Sequence, residues 1–69
     1  MGKVVAHEDA QQALEDYKAA IAKYKEATAV DPNVPAYWSN MAACYEKISE
    51  YDDMEDAARS CIKADKNFV

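Results

Sequence analysis

"AVDPNVPAYWSNMAACY", residues 29–45, decides how this chain folds. It contains both prolines of the sequence and its single tryptophan. Pro32 pushes Asp31 away from the α region and has no N–H to donate, so a helix arriving from the amino side ends there. Pro35 suits the first turn of a new helix, where a missing N–H is no loss. The restart is bulky: Tyr37, Met41, Cys44, Tyr45 and Ile48 share one helical face, and Trp38, Ala42 and Tyr45 make an adjoining stripe. The spacing predicts a tight turn and a helix over about 36–48, apolar around much of its girth. Such a helix expects neighbours on two sides.

On the amino side, Ala10, Ala13, Leu14, Tyr17, Ala20, Ile21, Tyr24 and Ala27 recur in steps of three and four. That rhythm lays one apolar stripe along a helix, while Gln11, Glu15, Lys18, Lys23, Lys25 and Glu26 occupy the opposite face. No Gly or Pro interrupts the run from His7 to Val30, which predicts one long helix over about 8–30. Residues 1–7 are expected to be disordered or frayed. On the carboxyl side the link "SEYD" is short, and Asp52 with Glu55 reads as an acidic capping box for a third helix over about 52–66. Asp53 and Asp56 near its start and Arg59, Lys63 and Lys66 toward its end complement the helix dipole. Met54, Ala57, Ala58, Cys61, Ile62 and Ala64 supply its expected packing face. The fold class is therefore all-α: three antiparallel helices in one domain over residues 8–69.

Composition narrows the function. Sixty-nine residues make one small domain, close to the lower limit for a single core. A deep catalytic pocket needs surrounding core that so short a chain lacks. The formal net charge of −5 repels duplex nucleic acid and anionic membranes. No apolar run of about eighteen residues is present to span a bilayer. "MGKVVAHEDAQQ" lacks the apolar segment of a signal peptide, and Ala6 stands where a myristoylation signal wants Ser or Thr. Cys44 and Cys61 read as small apolar residues of a reduced, cytoplasmic protein. His7 is the only histidine and stands far from both thiols, so no metal or cofactor is expected. The acidic "EYDDMED" lacks the glycine-bearing loop of an EF-hand and is explained by helix-start chemistry. No Ser-His-Asp or Cys-His arrangement is legible, and catalysis is not expected.

The chain also repeats itself. Shifted by thirty-four residues, Tyr17 falls on Tyr51, Ala27 on Cys61, Asp31 on Asp65 and Asn33 on Asn67. Trp38, Met41-Ala42 and Tyr45 keep the spacing Trp, Leu-Gly, Tyr, while Ala20, Tyr24, Ala27 and Pro32 keep small, aromatic, small, proline. In period and in these residues the chain resembles the tetratricopeptide repeat. The likeness covers residues 17–67 and amounts to about one and a half repeats. Val4, His7, Glu8 and Gln11 do not match Trp38, Met41, Ala42 and Tyr45, so residues 1–14 are read as extending the helix that follows.

The resemblance implies a non-enzymatic scaffold whose groove holds a peptide or partner protein, lined by the first helix of each pair. In this chain that lining is Ser39, Asn40, Ala43, Glu46 and Lys47. "YWSNMAACY" is similar to co-chaperone repeats carrying Tyr-x-Asn-Arg-Ala, where the residue matching Asn40 helps hold the terminal carboxylate of a chaperone tail. Met41 replaces the Arg, and Val5 and Asp9 occupy the preceding clamp positions, so tail capture is expected only in a longer array. The alternative is self-assembly: repeats bury one face against a neighbour, and Phe68-Val69 leaves an apolar end, which favours a homodimer. The last copy stops where another repeat should begin, which suggests an excerpt of such an array.

Overall fold

The structure, a computed structural model, describes the backbone of residues 5–67 and the side chains of residues 10–67. Three helices follow one another: α1 (Val5–Val30), α2 (Pro35–Lys47) and α3 (Tyr51–Asn67). Short turns make successive helices antiparallel. The middle helix packs on both others, whereas α1 and α3 flank it without packing on each other. Residues 5–14 continue α1 and form no separate helix, and α1 begins about three residues earlier than its spacing predicts. Of residues 1–7, expected to be frayed, Val5–His7 are helical; residues 1–4 and the apolar end at Phe68-Val69 lie outside the described residues.

The first turn is built as its prolines require. Asp31 N–H donates to the Ala27 carbonyl at 2.9 Å, the last helical bond of α1. The Asp31 carboxylate then accepts from the Asn33 N–H at 3.2 Å, an Asx-type turn that continues the bend. Val34 is the N-cap of α2, with extended backbone and no side-chain cap, and Pro35 follows in the first turn. A hydrogen bond from Trp38 Nε1 to the Pro32 carbonyl, 2.8 Å long, ties the new helix back onto the turn.

The second turn uses other means. Ser49 is in the left-handed region with φ 62°. Its N–H donates to the Glu46 carbonyl at 3.1 Å, and the Glu50 N–H donates to the Tyr45 carbonyl at 2.9 Å. These paired bonds are the Schellman arrangement that closes a helix, normally with glycine at the left-handed position. The chain has no glycine there and uses serine. The expected capping box does not form: α3 starts at Tyr51, so Asp52 already lies inside the helix, and the Met54 N–H bonds the Glu50 carbonyl at 2.9 Å. Asp52 and Asp53 remain in the first turn, where negative charge suits the dipole.

Ile21, Met41, Tyr45 and Ala57 form the buried core, with Tyr24, Trp38, Ala42, Cys44, Ile48 and Met54 packed around it. Ala64 closes the far end of the α3 contact. Two expected packing faces are narrower than their patterns imply. Ala10 and Ala13 are exposed and Leu14 is 38% exposed. At about 1.5 Å per residue the 26-residue α1 outruns the 13-residue α2 by about 20 Å, so its first half has nothing opposite it. Ala58 is exposed and Ile62 is 61% exposed, because α3 has one neighbour and meets it through a single edge.

Candidate partner-binding surface

Successive residues of a helix are about 100° apart. Around α2, Trp38, Met41 and Tyr45 therefore lie on one side, while Ser39, Asn40, Ala43, Glu46 and Lys47 lie on the other. Burial follows this division. Met41 and Tyr45 are buried and Trp38 half-buried, whereas all five residues of the second group are exposed. The structure thus brings the five expected contact residues onto one open stripe of α2, free of both flanking helices.

None of the Ser39, Asn40, Glu46 and Lys47 side chains hydrogen-bonds or ion-pairs with another described residue. The side-chain bonds that do form belong to Gln12, Thr28, Asp31, Trp38, Arg59 and Cys61. The sole ion pair among the described residues is Arg59–Glu55, at 3.2 Å and well exposed on α3. The stripe therefore offers an amide, a hydroxyl and one charge of each sign to an incoming chain, at no cost in internal bonds. Ala43, between the polar residues, lets a partner backbone approach the helix closely. The two clamp positions assigned to Val5 and Asp9 concern side chains outside the described ones.

Behind the stripe lies a second concavity, one the sequence pattern does not announce. It has a volume of about 410 Å³, with a floor of Trp38, Met41 and Tyr45. One wall is Lys25, Thr28 and Ala29 of α1; the other is Asp53, Asp56, Ala57 and Ser60 of α3. A smaller hollow of about 290 Å³ shares Pro32, Trp38 and Ser60 and extends it past Lys63 to Asn67. Periodicity assigned Met41 and Tyr45 to the core and Asp53 and Asp56 to helix-start chemistry. It carried no sign that α1 and α3 stay apart over α2.

The cysteines stand aside from both surfaces. Cys44 and Cys61 are free and half-buried, and the Cys61 thiol donates to the Pro35 carbonyl at 3.4 Å. No group of three or more potential metal ligands occurs among the described residues, and no described helix is long and apolar enough to cross a membrane.

Antiparallel helix pairs that share a middle helix, with an open stripe on that helix, define a helical-repeat interaction module. A family model for the TPR repeat matches residues 9–49, more than half of the sequence. The chain belongs to the tetratricopeptide-repeat family. It is 44% identical over 55 residues to the E3 ubiquitin-protein ligase CHIP of Arabidopsis thaliana, a match covering 80% of this chain and 20% of that protein. It is 42% identical over 53 residues to small glutamine-rich tetratricopeptide repeat-containing protein 2 of Mycosarcoma maydis, covering 77% and 15%. Stress-induced-phosphoprotein 1 of Caenorhabditis elegans is 37% identical over 54 residues, covering 78% and 17%. The chain spans a fifth or less of the length of these relatives. No solved structure matches it. Membership implies a protein–protein interaction scaffold, and repeats of this family are generally non-catalytic.

Proposed function

We propose that residues 8–69 act as one helical unit of a non-enzymatic cytoplasmic scaffold, holding a peptide segment of a partner protein along the exposed stripe of α2. The observation that carries this reading is that Ser39, Asn40, Ala43, Glu46 and Lys47 share one open face. Within a longer array the segment ends in a free carboxylate, as a chaperone tail does. The Asn40 amide and Lys47 ammonium then supply part of its hydrogen-bonding set, and neighbouring repeats supply the rest. The likeness of "YWSNMAACY" to co-chaperone repeats supports this choice of partner class.

The test is a titration of the chain, carried within a longer array of repeats, with an acidic peptide ending in a free carboxylate, beside the same peptide amidated at that end. The free-ended peptide is expected to shift the amide resonances of the α2 stripe, and Asn40→Ala with Lys47→Ala to remove the effect without altering the sedimenting mass. Equal shifts from both peptides, or none in the stripe, would sink the reading. The alternative is a homodimer, favoured by the exposed Leu14, Tyr51 and Ile62. It gains if the sedimenting mass rises with concentration and Leu14→Ser or Ile62→Ser lowers it.

A further inference from the structure

We infer that the groove between α1 and α3 is a second docking site, and that its occupant is an amphipathic helix of a partner protein with basic residues flanking its apolar stripe. This site is separate from the α2 stripe, and the two stand or fall independently. On a floor whose Met41 and Tyr45 are buried, the half-buried Trp38 ring is the apolar surface an occupant meets, and the volume of about 410 Å³ falls within the range of sites that hold ligand groups.

The walls select the chemistry. The groove is lined by helices except at Pro32 in the α1–α2 turn, so no strand edge is offered and an occupant must be recognised by its side chains. On the α3 wall, Asp53 and Asp56 are three residues apart, which puts their carboxylates about one helical turn apart along the groove. Both are exposed and neither is ion-paired with a described residue. Lysines or arginines spaced by one turn on a partner helix meet that pair in register. The α1 wall is lower in polarity: Thr28 turns its hydroxyl back to the Lys25 carbonyl at 3.0 Å, and Ala29 adds only a methyl group. Lys25 is the one cation on that wall and keeps the basic flank of the occupant on the α3 side. The net charge of −5 draws a basic segment toward the chain before contact.

Trp38 lies in the floor and is the only tryptophan, so its emission reports occupancy directly. The probe is a short designed helix with leucines on one face flanked by lysines, compared with the same helix carrying glutamates. The lysine helix is expected to move Trp38 emission to shorter wavelength in a saturable way, and the glutamate helix to leave it unchanged. Asp53→Asn with Asp56→Asn should weaken binding on the order of fivefold, as should raised salt on the unaltered chain. Asn40→Ala with Lys47→Ala should leave it intact, which separates this site from the α2 stripe. Circular dichroism checks that the asparagine variant keeps its helices, and the salt series decides if it does not. Equal responses to both helices, or insensitivity to salt, overturns the proposal. So does loss of the signal in the Asn40/Lys47 variant. A Trp38 shift on concentrating the chain alone overturns it too, giving the groove to a second copy.

Discussion

The two sides of α2 differ in what holds them in place. One side carries Met41 and Tyr45, buried, with Trp38 bound through its indole N–H to Pro32. The other carries five exposed side chains with no described internal partner. A helix of 13 residues thus joins the fold through one half of its circumference and leaves the other half open. The stability of the fold and recognition by the open stripe can therefore be changed separately, and the substitutions below report on the buried side, on the turn that closes α2, and on the open side.

The largest effect is expected at Met41, which is 3% exposed at the centre of the core. Met41→Ala should cost about 2–5 kcal/mol. A chain of this size has roughly 3–10 kcal/mol of stability in all, so denaturant unfolding should show the variant largely or wholly unfolded. A loss below about 1 kcal/mol would mean that the buried side is not where the fold is held.

Trp38→Phe keeps an aromatic ring on the groove floor but removes the donor to Pro32. A loss of about 1 kcal/mol in the same measurement is expected, larger if the Pro32 carbonyl finds no water. Ser49→Gly works in the opposite direction. It relieves a side chain held at φ 62° and should raise stability by up to about 1 kcal/mol, read as a higher midpoint. A destabilised glycine variant would show that the turn depends on the serine side chain. Smallest of all, Asn40→Ala should change stability by less than about 0.5 kcal/mol, since it removes no described bond. A large loss there would erase the distinction between the two sides.

The two turns explain how much of the fold could be read in the residues. Asp31, Pro32 and Pro35 restrict the backbone whatever surrounds them, so the α1–α2 break was legible to within a residue. The α2–α3 turn has neither glycine nor proline, and its Schellman bonds come from backbone geometry that serine merely tolerates. Hence the break itself was legible from the acidic helix start, but the cap was assigned to Asp52, inside the helix. Periodicity marks which face of a helix is apolar, not whether a partner reaches it. Leu14, Ala58 and Ile62 fit their stripes and are exposed because helix lengths and neighbour count decided the matter.

The candidate stripe rests on the resemblance, which assigns the groove lining, Ser39, Asn40, Ala43, Glu46 and Lys47, to the first helix of a pair. Helix geometry adds that these five share the arc opposite the core. The groove on the other side depends on the separation of α1 from α3, a relation between helices distant in sequence. No local pattern encodes it.

The most direct test of the two-sided account is amide chemical-shift mapping of the chain, carried within a longer array of repeats, during titration with the peptide ending in a free carboxylate. The account predicts changes centred on Ser39, Asn40, Ala43 and Lys47, with Met41 and Tyr45 little moved. Changes centred on Leu14 or Ile62, or a response spread evenly over the chain, would contradict it.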